Sequence, residues 1–189
     1  MASTLRWTTA DLEALPEDNR KRYEIIDGEL YVSTTPHWNH QQTLLALAVR
    51  LDSWNLKNRA GQINLGPGVI FSEDSAVAPD IVWLSNQRIS EALREDGKLH
   101  AAPELIIEVL SRGRKNERRD RETKLKLYSS RGVDEYWIVN WQLCEVEIYR
   151  RAHHHIELVA KLTADDNLQS PLLPGFSCSV GALFENLSK

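Results

Sequence analysis

Apolar positions along this chain recur with two periods, close to two residues in some stretches and close to 3.6 in others. The switches between them mark out its elements. Thr9 to Pro16 predicts a short helix ended by its proline. Arg22 to Ser33 predicts a hairpin, with Tyr23-Glu24-Ile25-Ile26 and Glu29-Leu30-Tyr31-Val32 joined by Asp27-Gly28, a dipeptide suited to a two-residue turn. That turn puts Tyr23, Ile25, Leu30 and Val32 on one face and Glu24, Ile26, Glu29 and Tyr31 on the other. From about His37 to Leu56, Leu44, Leu47, Ala48, Leu51 and Trp54 form a helical stripe, and His40 lies on it one turn before Leu44. Gly61 to Phe71 predicts a strand interrupted at Gly66-Pro67-Gly68. A short strand, Asp80 to Leu84, is entered through Pro79, and Ile89 to Arg94 predicts a short helix. Leu105-Ile106-Ile107-Glu108-Val109-Leu110 is the most apolar run, which predicts a central strand buried on both faces. A helix over Glu117–Arg131 closed by Gly132 follows. Strands are then expected at Glu135–Asn140, Cys144–Arg150 and His155–Val159, and a short helix near Val180–Leu187. The expected fold class is α/β, a mixed β-sheet flanked by helices.

Composition narrows the picture. The chain has 189 residues, 42% hydrophobic and 26% charged, which is the balance of a globular protein able to bury a core without disulfides. No repeat, low-complexity tract or linker divides it, so one domain over 1–189 is expected, with a core at about 12–150 and a C-terminal extension at 151–189. Cys144 and Cys178 lack the spacing of a disulfide framework or zinc ribbon. The opening residues carry no signal-like apolar run and no stretch of 18 apolar residues occurs, so a cytoplasmic protein without a membrane span is expected. The net charge of −4 does not mark a nucleic-acid binder. However, Arg112 to Lys126 holds eight basic residues against Glu117, Asp120 and Glu122. That stretch is either a solvated helix face or a surface that steers a polyanion.

Two carboxylates stand out by position. Asp80 opens an apolar strand and Glu108 interrupts the most apolar one. A buried ionised carboxylate needs a partner or a metal. Glu108 is therefore a structural ion pair, a carboxyl with a raised pKa, or part of a site. Asp120, Lys124 and Tyr128 follow at intervals of four along one helix side, which alone suits an ordinary i,i+4 pair. The consecutive His153-His154-His155 cannot all share a strand face and read as an exposed edge. No hydrolase elbow, zincin motif or phosphate-binding glycine loop is present, and no organic cofactor is expected.

Taken together, Pro79-Asp80, Pro103 through Ser111, Asp120-x3-Lys124-x3-Tyr128 and Gly132-Val133-x-Glu135-Tyr136-Trp137-Ile138-Val139 resemble the Uma-type restriction endonuclease family of the PD-(D/E)XK nuclease superfamily. Tyr23-Glu24-x-Ile26-Asp27-Gly28-Glu29 is similar to its N-terminal signature and His40-Gln41 to a recurrent histidine of its first long helix. The likeness runs from about Leu12 to Arg150. It departs from the parent motif in having Leu110 two residues after the second acid, which implies that the lysine has moved to the helix as Lys124. Asn140 stands where aspartate is common, and Arg112-Gly113-Arg114 replaces a Pro-Ser loop. The resemblance implies a restriction-endonuclease-like core and a nuclease hydrolysing DNA phosphodiesters. Asp80, Glu108 and the Val109 carbonyl are hard oxygen ligands suited to Mg²⁺ or Mn²⁺. Lys124 would orient water or neutralise developing charge. Glu24 would bind a second metal or a water, and His40 would hold a carboxylate or move a proton, or else be a core histidine. Arg112, Arg114, Lys115, Arg118 and Arg119 are the expected DNA-phosphate contacts. Cutting both strands calls for a homodimer, for which the strands around Trp141 to Arg150, the His153–His155 edge and Leu172 to Phe176 offer surface. The rival readings are an inactive DNA-binding or interaction module on the same fold, and an RNA-directed nuclease.

Overall fold

The computed structural model describes residues 5–16 and 20–188; Met1 to Thr4, part of the opening segment considered above, lie outside them. The chain order is α1 (Thr9–Ala14), β1 (Lys21–Ile26), β2 (Glu29–Thr34), α2 (Trp38–Asn58), β3 (Gly61–Leu65), β4 (Val69–Ser72), β5 (Ser75–Val77), β6 (Ile81–Ser85), α3 (Asn86–Ala92), β7 (Leu105–Val109), α4 (Arg114–Arg118), a π-helical turn (Arg119–Lys124), α5 (Leu125–Arg131), β8 (Glu135–Asn140), β9 (Glu145–Ala152) and β10 (His155–Leu162). Short strands β11 (Asn167–Leu168) and β12 (Cys178–Ser179) and a 3₁₀ turn (Gly181–Leu183) complete it.

Six strands form the main sheet in the order β10-β9-β8-β7-β6-β3. Only β7 and β8 pair in parallel; the other neighbours are antiparallel. A parallel pair needs a long crossover, and the helix running from α4 through the π turn to α5 supplies it. The N-terminal hairpin belongs to a second, four-stranded sheet of order β2-β1-β5-β4. Its turn residues have φ of 51° at Asp27 and 78° at Gly28, the doubly positive pair that a type I′ turn requires. Cross-strand pairs Tyr23–Val32 and Glu24–Tyr31 set the expected faces.

Strand alternation assigns each residue of the main sheet to one of two cores. Leu105, Ile107, Val109, Ile81, Trp83, Trp137 and Val139 pack with Leu47, Leu51 and Trp54 of α2. Ile106, Leu110, Val82, Leu84, Tyr136 and Ile138 pack with Leu127 and Tyr128 of α5 and with Ile26 and Val77 of the second sheet. The result is a mixed sheet flanked by helices.

Three expectations change, and one short strand was not foreseen. The interrupted strand at 61–71 is two strands in different sheets, because the chain turns at Gly66 (φ 62°) and leaves one sheet for the other. The three residues of β5 are too few to show a period in sequence. The expected C-terminal helix is a single 3₁₀ turn. The apolar stretch from Leu172 to Phe176, offered above as dimer surface, is spent on this chain's own core. There Leu173 and Phe176 are buried against the α2 side of the sheet, as is Trp141.

Leu51 sits at the centre of that contact and is fully buried. Leu51→Ala should cost about 2–5 kcal/mol in chemical denaturation, the range for leucine truncation in a core that cannot collapse. A cost below about 1 kcal/mol would contradict the docking of α2 described here.

Candidate active site

The register of β6 on β7 explains why two acids distant in sequence meet. Ile81 pairs with Ile107 and Val82 with Ile106. One further step of the same antiparallel register sets Asp80 across from Glu108, on the face that Val82 and Leu84 share with Ile106 and Leu110. Both acids line a cleft of about 220 Å³ at this end of the sheet, together with Glu24, His40, Val109, Arg119 and Lys124. The Val109 amide donates to Asp80 Oδ2 at 2.9 Å, which fixes the carboxylate against the strand end.

Lys124 approaches Glu108 from the helix. Its ammonium donates to Glu108 Oε1 at 2.8 Å and lies 2.9 Å from Glu24 Oε1. The Tyr128 hydroxyl, one turn on, donates to the same Glu108 oxygen at 2.9 Å. Glu24 also accepts the Ala78 amide at 2.9 Å. All four side chains are buried. The expected i,i+4 pairing of Lys124 with Asp120 gives way to this arrangement. Asp120 is held instead by Arg119 Nε at 3.0 Å. The π turn spans Asp120 and Lys124, and both are buried.

His40, at the start of α2, faces Asp80 Oδ2 with Nε2 at 3.2 Å and Gln41 Oε1 with Nδ1 at 3.1 Å. An acceptor at each ring nitrogen favours the imidazolium. Arg22, half-exposed at the rim, donates to Asp80 Oδ1 at 3.2 Å. The beginning of α2 is braced from outside. His37 caps the helix by accepting the Asn39 amide and stacks on Trp141, whose indole N–H donates to the Leu110 carbonyl.

These contacts split the acids electrostatically. Burial works against ionisation of Asp80, yet its bonds to His40 and the Val109 amide, with the Arg22 charge, outweigh it and hold the carboxyl at about 2. Burial also opposes charge on His40, and the Asp80 carboxylate overcomes it, so the imidazole pKa is raised. Burial raises Glu108, Lys124 only partly offsets this, and the neighbouring Asp80, Asp120 and Glu24 raise it further, to about 7. Glu24 is buried as deeply but sits against both Lys124 and Arg119, and its pKa is lowered. Lys124 is desolvated, but Glu108 and Glu24 more than compensate and raise its pKa, so it stays cationic.

The family model described as "Putative restriction endonuclease", Uma2, matches residues 9–181. The chain belongs to the Uma2 family. Its fold is similar to that of a solved structure from Anabaena variabilis ATCC 29413, titled "a putative nuclease belonging to DUF820". The TM-score is 0.73 at 21% identity, covering 94% of this chain and 97% of that one. At that identity the likeness is one of fold. No curated protein matches.

Of the site residues expected from sequence, the Uma2 fold gathers Asp80, Glu108, Val109, Lys124, Glu24 and His40 in one cleft. It divides the basic stretch. Arg112, Arg114, Lys115 and Arg118 are exposed, and Arg112 stacks on the outer face of Trp141. Arg119, grouped with them in sequence, is set apart: its side chain is 11% exposed, lines the cleft and turns toward Asp120 and Glu24. Leu110, where the parent motif has lysine, is core. Asn140 accepts the Gln142 and Leu143 amides and so closes the β8–β9 turn. Arg22 was not singled out in sequence; its signal was its alternation with Glu24 along β1. The hydroxyl contact of Tyr128 had a signal in its spacing from Lys124.

One pH dependence follows. In the metal-free protein Glu108 keeps its proton to about pH 7, whereas an ordinary glutamate releases it near 4.5. Between those values the folded state holds a proton that the unfolded state has lost, so stability falls as pH rises through the interval. Glu108→Gln should flatten that slope in denaturation measured at several pH values; an identical slope in both proteins would contradict the assignment.

Proposed function

We propose that this protein is a divalent-metal-dependent endonuclease that hydrolyses phosphodiester bonds of DNA. Asp80 and Glu108 hold the metal and Lys124 is the cationic group beside it. The observation that carries the reading is the facing of Asp80 and Glu108 across β6 and β7 with Lys124 bonded to one of them. Membership of a family described as restriction endonucleases supports it.

The donor set fits a hard cation. Among the described residues no three carboxylate, histidine or cysteine side chains form a ready cage. Mg²⁺ commonly needs only one or two carboxylates and keeps several waters. Two carboxylates and the Val109 carbonyl at the mouth of a cleft meet that need. A cation there would also offset the crowding of acids that raises Glu108. When bound, such a metal polarises a phosphoryl oxygen and lowers the pKa of a bound water. Lys124 does not act as a base, because its two carboxylate partners keep it protonated. Its part is to hold Glu108 in place and to offset negative charge gathering on the phosphoryl group. Glu24 anchors Lys124 from the other side. His40 and Arg22 hold Asp80 ionised, and Arg22, exposed enough to move, can turn from Asp80 to a phosphate. Arg112, Arg114, Lys115 and Arg118 contact the DNA backbone. Duplex cleavage by one cleft per chain uses two copies.

Calorimetry with Mn²⁺ should show binding that Asp80→Asn abolishes. Plasmid cleavage with Mg²⁺ or Mn²⁺ should fall by at least 100-fold, about 2.7 kcal/mol, in Asp80→Asn and Glu108→Gln proteins that remain folded by circular dichroism. Unchanged metal binding in the Asp80 variant would sink the site. Metal binding without cleavage of DNA, but with cleavage of RNA, would reassign the substrate; cleavage of neither would favour an inactive module. Binding to duplex DNA should weaken with salt, and replacing Arg114 and Lys115 by alanine should reduce the log–log slope by about 1–2 units. An unaltered slope would remove those residues from the interface.

A further inference from the structure

Helix α2 is apolar on two opposite sides. One side, with Leu47, Leu51 and Trp54, is buried on the main sheet. A surface helix of this kind normally turns polar residues outward. Here Trp38, Leu45, Val49 and Leu56 are 66%, 55%, 53% and 69% exposed. At the α-helical repeat the four fall within about 20° of a single line along the helix, spread over about 27 Å. The family likeness and the cleft account for none of them.

We infer that this outer face of α2 is a self-association surface, on which a second copy of the chain docks its own α2 antiparallel across a two-fold axis near residue 47. The spacing of the stripe supports this occupant. Its intervals are seven, four and seven residues, the same read in either direction. An antiparallel copy therefore meets Leu56 with Trp38 and Val49 with Leu45, and each contact occurs twice, as a two-fold interface requires. Charge favours the same orientation: Asp52, about 40° off the stripe, would lie level with its own copy in a parallel pair, whereas in the antiparallel pair it lies level with the uncharged Gln42. A single helix pair buries less than the ~800 Å² per partner of a standard interface. The dimer should therefore form by mass action in the micromolar range instead of being permanent. The surface is carried by α2 alone and does not depend on nuclease activity.

Sedimentation velocity on the full chain over a concentration series tests it. The mass should rise from 21.6 kDa toward twice that value as concentration increases. The double variant Leu45→Glu, Val49→Glu places acid against acid across the axis. It should associate at least tenfold more weakly, with an unchanged melting temperature at concentrations where the wild type is monomeric, since both side chains are outside the core. Leu45→Lys with Val49→Glu places opposite charges across the antiparallel axis and should dimerise again. A wild-type monomer through the high-micromolar range overturns the inference, and if that monomer sediments with phosphatidylcholine vesicles the face belongs to a lipid surface instead. A dimer indifferent to the two glutamates places the interface elsewhere, and a lysine–glutamate variant that stays monomeric rejects the antiparallel register.

Discussion

An ammonium group buried between two carboxylates is the constraint on which the rest of the candidate site depends. Lys124 is withdrawn from water, and so are Glu24 and Glu108 on either side of it. Each ion costs several kcal/mol to desolvate, and only close, well-directed contacts return that energy. The three must therefore stay together, and they come from three separate elements: β1 of the smaller sheet, β7 of the larger one and the crossover helix. Fixing the lysine fixes how these units sit around the cleft. Removing one partner leaves a buried charge uncompensated, a loss of about 3–5 kcal/mol in comparable cases.

The crossover helix makes this possible. Spacing by four puts Asp120 and Lys124 on the side that carries the buried Tyr128. The π turn at Arg119–Lys124 lies on that inner side with Arg119, while Arg114, Lys115 and Arg118 before it remain in solvent. One run of basic residues is thereby divided: part of it neutralises buried acids, and part of it stays in solvent. The same division explains the opposite behaviour of the two central acids. Asp80 lies at the strand end, where a backbone amide, His40 and Arg22 reach it and keep it ionised. Glu108, directly across from it, lies among other acids, with a single ammonium that it shares with Glu24.

Much of this was legible in the sequence because strand period and register are strict. Asp80 and Glu108 break apolar runs, and a run buried on both faces leaves no place for an acid without a partner. The hairpin followed from its Asp27-Gly28 turn, the α2 stripe from its helical spacing, and the β7 core strand from a short unbroken apolar run. What was not legible depended on contacts between elements. Nothing in the spacing of Gly61 to Phe71 tells that its halves join different sheets. Arg119 is indistinguishable in sequence from the exposed arginines around it. The outer stripe of α2 escaped notice because the inner stripe, stronger and continuous with His40, already accounted for the helix. Leu172 to Phe176 looked like spare apolar surface only while the uncovered α2-side face of the sheet was unknown.

A metal centre formed by Asp80 and Glu108, with Lys124 fixed beside it, can be seen in crystals soaked in Mn²⁺ and measured at the manganese absorption edge. One anomalous peak is expected between the carboxylates of Asp80 and Glu108, close to the Val109 carbonyl, with Lys124 still bonded to Glu108. A peak lodged elsewhere, or none in a soak that brings Mn²⁺ to other carboxylates of the same crystal, would contradict it.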